Sequence, residues 1–173
     1  MSQKRLIIDV GHSQYPVYIK SGLLKQIDRE LHLLGIQRSQ KLFILTDEQV
    51  APLYLELLVR VLEQAGYSTA TYIAPAGEAA KSLSSYEQVV THALQSGLDR
   101  RSVILALGGG VVGDLAGFVA STFMRGIPFV QLPTTILAHD SSIGGKVAIN
   151  HPLGKNLIGS FYQPLAVLYD TSL

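Results

Sequence analysis

The stretch Leu105-Ala106-Leu107-Gly108-Gly109-Gly110-Val111-Val112-Gly113-Asp114 restricts the chain to few folds. Ser102 to Leu107 is a short apolar run suited to a buried strand, and from Val111 to Phe123 apolar residues recur at helical intervals. A strand, a glycine turn and a helix therefore follow one another. Consecutive glycines admit positive φ and let another group approach where a Cβ would collide. A helix starting there points unpaired N–H groups outward, which stabilises an anion such as a pyrophosphate.

Gly108-Gly109-Gly110-Val111-Val112-Gly113 fits G-x-G-x-x-G. A dinucleotide fingerprint also wants a carboxylate about 20 residues on, at the end of the next strand, to bind ribose hydroxyls. The next predicted strand, Phe129 to Leu132, ends in Pro133-Thr134-Thr135, so that acid is missing. Two readings stay open. Either the glycines only relieve crowding where a helix packs on a sheet, or a nucleotide binds with its ribose acid supplied elsewhere.

The remaining chain alternates strands with helices. Arg5–Val10 and Tyr15–Lys20 read as an N-terminal hairpin. Ser21 stands as N-cap of a helix over Leu23–Leu34, and Lys41–Leu45 is a strand running into Thr46-Asp47. A helix over Val50–Gln64 stops at Gly66, a strand covers Ser68–Ile73, and a helix covers Ser82–Ser96. Ala166–Tyr169 closes the series. This pattern predicts a single α/β domain over 1–173, Rossmann-like, with a mostly parallel sheet, helices on both faces and an N-terminal β-hairpin. Asp140–Lys146 and His151–Asn156 are polar and glycine-rich, and read as long loops.

Composition narrows function by exclusion. Apolar residues make up 47% and charged ones 16%, with a net charge of +1, which disfavours nucleic acid as a partner. There are no cysteines, so disulfides, zinc thiolates and thiol nucleophiles drop out. The five histidines show no H-x-x-x-H or H-x-H spacing, so no metal site is expected within the chain. Val103–Ala120 is apolar enough to suggest a span, but Asp114 in mid-bilayer costs about 2.5–3.5 kcal/mol, so no membrane is expected. The amino terminus is too short in apolar residues for a secretory signal, and a cytoplasmic location is the simplest reading.

In an open α/β sheet, ligands bind beyond the carboxyl ends of the strands. The residues following successive strands are Asp47, then Glu78 and Lys81, then the glycines and Asp114, then Thr134 and Thr135. All fall on one predicted edge. Lys81, Lys146 and Lys155 suit phosphates, Asp47 suits a ribose or amide, and the threonines suit a phosphate or carboxamide. Each has a structural alternative: Glu78 and Lys81 as a surface ion pair, Asp114 as a helix first-turn acid, the threonines as caps.

Pro75-x-Gly77-Glu78-x-x-Lys81-Ser82, Gly108–Asp114, Met124-Arg125-Gly126, Pro133-Thr134-Thr135, Asp140-Ser141-Ser142-x-Gly144-Gly145-Lys146 and His151-Pro152-x-Gly154-Lys155-Asn156 resemble the amino-terminal, NAD-binding half of the 3-dehydroquinate synthases. The resemblance covers about half of that family's usual length. It implies conversion of DAHP to 3-dehydroquinate and phosphate, by transient oxidation with tightly held NAD, phosphate elimination, re-reduction, ring opening and aldol closure. It also implies NAD contacts at Asp47, Gly77, Glu78, Lys81, Gly110, Val111, Val112, Gly113, Asp114, Thr134, Thr135, Lys146 and Lys155. Asp140, Lys146 and Asn156 would touch substrate, and Arg125 would reach the substrate of a neighbouring subunit, implying a homodimer. The family's zinc or cobalt is held by one Glu and two His in a helical carboxy-terminal half outside this chain, so the chain alone is expected to bind NAD weakly and turn over negligibly.

Three departures accompany the resemblance: Gln49 where the family usually has Asn, a segment Ile136–His139 one residue shorter than usual, and Val147 where it usually has Thr. The competing readings are 2-deoxy-scyllo-inosose synthase, 2-epi-5-epi-valiolone synthase, an iron-dependent alcohol or glycerol dehydrogenase, and a truncated module that only binds a nucleotide or dimerises.

Overall fold

The computed structural model describes residues 4–11 and 13–173, except for the side chains of His139 and Asp140. Its strands are β1 (Lys4–Asp9), β2 (Gln14–Lys20), β3 (Leu42–Asp47), β4 (Thr69–Ala74), β5 (Val103–Gly108), β6 (Phe129–Pro133), β7 (Lys146–His151), β8 (Gly154–Phe161) and β9 (Ala166–Asp170). Its α-helices are α1 (Ile27–Leu33), α2 (Glu56–Gln64), α3 (Leu83–Gln95), α4 (Gly110–Thr122) and α5 (Ile136–Ser141). Seven strands form one sheet in the order β1-β2-β9-β6-β5-β3-β4, parallel except for the β1–β2 hairpin. The fold is the expected Rossmann-like one.

β3 and β5 are buried along their whole length, because helices cover both faces. Alternation along each strand then divides the core. Phe43, Leu45, Ile104, Ala106 and Phe129 face α3 and α4; Leu42, Ile44, Val103, Leu105 and Val130 face α1 and α2. Leu58 and Leu62 of α2 are fully buried there, each worth roughly 1.5–3 kcal/mol.

α4 is buried nearly all round, with Val112, Leu115, Ala116, Val119 and Ala120 in the core. Its outer side is covered by the two-stranded sheet β7–β8, whose Val147 and Ile149 join the same cluster. The region read as loops is therefore partly a hairpin, its tip at His151–Gly154. The apolar stretch Val103–Ala120 is a core strand and core helix, and among the described residues no helix is long and apolar enough to cross a membrane.

The start of the first helical segment corrects another expectation. Ser21 makes no cap; Leu24–Gln26 is a 3₁₀ turn preceding α1, and the carboxylate of Asp170 accepts hydrogen bonds from Gly22 N and Leu24 N, both at 2.8 Å. β9 lies beside β2 with Asp170 opposite Lys20, which delivers the acid to that spot. Burial pushes the Asp170 carboxyl up, but its bonds to Leu24, Ser172 and Gly22 outweigh this and hold it below the ordinary range.

Candidate functional site

The carboxyl ends of four adjacent strands meet at one edge. Asp47 ends β3 opposite Ala74 of β4, and Gly108 ends β5 opposite Pro133 of β6. From β3 the chain crosses outward to β4, then returns to place β5 on the other side of β3. This is the switch point at which open α/β sheets leave a crevice. Asp47 Oδ1 accepts from Gln49 N and Val50 N, both at 2.9 Å, so one of its oxygens starts the following helical segment.

The glycines divide in role. A Cβ on Gly108 would lie 2.6 Å from Val112 Cγ2, and one on Gly113 would lie 2.8 Å from Gln131 Oε1. Packing against the branched Val112 requires glycine at Gly108, whereas at Gly113 the Gln131 amide would have to shift. Gly109 and Gly110 begin α4, whose N-terminus carries no side-chain cap. Thr134 N donates to Gly108 O at 3.0 Å, yet Thr134 Oγ1 is buried without a hydrogen-bond partner. Thr135 Oγ1 accepts from Ala138 N at 3.1 Å and so caps α5. The unpartnered Thr134 hydroxyl and the uncapped N–H groups of α4 are polar groups that a bound ligand satisfies.

Lys81 and Glu78 do not pair as a surface ion pair. The buried Lys81 ammonium contacts Asp114 Oδ2 at 2.6 Å and donates to Asn156 Oδ1. Glu78 Oε2 instead accepts from Asn150 Nδ2 at 3.0 Å and faces Lys155 Nζ at 3.8 Å. Asp114 lies beyond the first turn of α4, where the helix dipole has faded, so its role is this pairing. Burial pushes the Asp114 carboxyl up against the opposing pull of Lys81. The Asn150 hydrogen bond holds Glu78 below the usual range, aided by Lys81 and Lys155. Next to this group lies a cavity of ≈ 390 Å³ bordered by Asp114, Lys146, Asn156 and Phe161.

Two expected residues stand apart. Arg125 lies past the opposite end of α4, a helix of 13 residues and hence about 20 Å long. It is exposed, and both it (φ 73°) and Met124 (φ 50°) are in the left-handed region, a strain of order 1–3 kcal/mol each. The chain's own crevice does not include it. Asp140 falls on α5, with its side chain outside the described residues.

A family model described as 3-dehydroquinate synthase N-terminal matches residues 71–173. The chain belongs to that family. The 3-dehydroquinate synthase of Geobacillus thermodenitrificans is 58% identical over 165 residues, which are 95% of this chain and 45% of that protein. The chain thus spans about half the length of the curated relatives it matches. A 2-deoxy-scyllo-inosose synthase solved with carbaglucose-6-phosphate, NAD+ and Co2+ superposes with a TM-score of 0.88 at 27% identity, covering 98% of this chain and 46% of that one. The 2-epi-5-epi-valiolone synthase of Streptomyces hygroscopicus, with NAD+ and Zn2+ bound, gives 0.80 at 29% identity, covering 95% and 45%.

Within this family member, Val147 has a visible reason: it is buried against Gly117 of α4, where a hydroxyl would have no water. Asn150 is not among the residues to which the sequence motifs point, although it touches Glu78, Lys81 and Asn156. The available signal was the alternation of buried Val147 and Ile149 with Lys146, Ala148 and Asn150, which marks a strand.

Proposed function

We propose that residues 1–173 form the NAD-binding α/β unit of a 3-dehydroquinate synthase, the whole protein converting DAHP to 3-dehydroquinate and phosphate. The observation that carries this is the unpartnered Thr134 hydroxyl at the bare glycine start of α4, with Asp47 and Glu78 at neighbouring strand ends. The backbone N–H groups of Gly110, Val111 and Val112 hold the pyrophosphate, while Gly113 N donates to Gly109 O at 3.0 Å and contributes by its position in the first turns of α4. Asp47 and Glu78 accept from ribose hydroxyls, with Gly77 leaving room beside Glu78. Thr134 and Thr135 donate from their hydroxyls, and Lys81, fixed by Asp114 and Asn156, contributes a buried cation. When bound, NAD supplies a reversible two-electron oxidation of the substrate.

Lys146 and Lys155 clamp anionic groups, Asp140 and Asn156 meet the substrate, and Arg125 serves the site of a second subunit in a homodimer. Exclusion of water strengthens such clamps. For zinc or cobalt the fit fails: among the described residues no three His, Cys, Asp or Glu side chains come together, and no step is assigned to a metal. Identity of 58% to 3-dehydroquinate synthases against 27–29% to the other cyclases favours the dehydroquinate reaction. Titration calorimetry and melting with NAD test the cofactor role: a hundredfold excess over Kd raises stability by about 2.7 kcal/mol, and no heat with no melting shift at millimolar NAD contradicts it. Turnover is tested separately. The 173-residue chain alone releases negligible phosphate from DAHP, and robust release overturns that part of the proposal.

A further inference from the structure

The geometry points to Asn150 as a positioning residue that locks the Glu78 carboxylate to the Asn156 turn, so that the cofactor side and the substrate side of the site move as one piece. This rests on the function proposed above. Asn150 reaches three segments. Its backbone N–H donates to Lys81 O at 2.8 Å, its side-chain Nδ2 donates to Glu78 Oε2 at 3.0 Å, and its Oδ1 accepts from Asn156 N at 2.9 Å. The orientation of the amide is chemically fixed, because an ionised carboxylate only accepts and a backbone N–H only donates.

Asn156 needs such support. It is a non-glycine residue at φ 57°, held at its N–H by Asn150 and at its side-chain oxygen by Lys81. The chain of contacts therefore runs Glu78–Asn150–Asn156–Lys81–Asp114, from the ribose acid to the cavity wall. The titratable groups around Glu78 are Lys81, Lys155 and Asp114, the last of which Glu78 pushes up directly, and His151 borders the same cavity as Glu78. No other residue type of this size both donates to Glu78 and accepts from Asn156. Aspartate keeps the shape and the acceptor but turns a carboxylate oxygen toward Glu78.

Asn150→Asp is the test, with Asn150→Ser as the second variant should the first not fold. Three quantities are measured on the 173-residue chain: the thermal midpoint, the carboxyl ¹³C titration of Glu78, and NAD affinity as a function of pH. The expected result is a folded N150D chain in which Glu78 titrates at higher pH than in the parent. NAD affinity falls on the order of tenfold at pH 7 and drops away at higher pH than in the parent as the solution is acidified. An unchanged Glu78 titration together with unchanged NAD affinity overturns the positioning role while leaving the proposed function standing. Absence of NAD binding by the parent chain overturns the proposed function and this inference with it.

Discussion

Gly117 is the point where the β7–β8 hairpin closes on α4, and Gly117→Ala tests that packing. A Cβ at this position would lie 2.3 Å from Val147 Cγ1, 3.0 Å from Val147 Cβ and 3.2 Å from Phe129 Cε2. Helix propensity alone favours the substitution by about 1 kcal/mol. Overpacking of a tight core costs about 1–3 kcal/mol. The upper part of that range applies, because Val147 is branched at Cβ, buried, and unable to swing away. The net expectation is a loss of about 1–2 kcal/mol, or a fall in Tm of roughly 2–8 °C for a chain of this size. Urea denaturation of the parent, G117A, V147A and the double variant measures it. The double variant should recover about 1–2 kcal/mol relative to the sum of the singles, since the new methyl fills the space Val147 vacates. A stabilised G117A, or strict additivity, refutes the packing argument.

Thr134→Val removes a buried hydroxyl without a partner, so the unliganded chain should hold or gain up to about 1–3 kcal/mol while NAD binding weakens; denaturation and calorimetry give the two signs separately. Asp170→Asn should cost about 1–3 kcal/mol at pH 7. Because the folded Asp170 carboxyl sits below its unfolded value of 3.8, its contribution is present above that value and lost as pH falls through the folded one. The variant's deficit, followed by denaturation against pH, therefore shrinks in acid. Lys81→Met strands Asp114, raising its carboxyl titration further and destabilising the chain by about 1–3 kcal/mol near neutrality. That deficit shrinks once the pH falls below the raised Asp114 value, which NMR titration locates.

Local patterns carried the sheet. Apolar runs at Leu42–Leu45 and Val103–Leu107, and the glycines after the second, sufficed to place β3, β5 and the start of α4. What escaped was long-range: Asp170 caps a segment 146 to 148 residues away, and Lys81 chooses Asp114 over the nearby Glu78. No window of neighbouring residues contains those pairings. The hairpin escaped for a different reason. Gly144, Gly145 and Gly154 imitate a loop, and beyond them a Cβ on Gly159 would lie 2.4 Å from Val147 O, so that glycine lets two strands approach.

The proposed nucleotide site lies along one edge of the sheet. A ¹H–¹⁵N correlation spectrum of the labelled chain titrated with NAD examines it residue by residue. Shifts centred on Gly110, Val111 and Thr134, extending to Asp47 and Glu78, are the predicted result. Shifts confined to Leu157–Phe161, or none at millimolar NAD, contradict it.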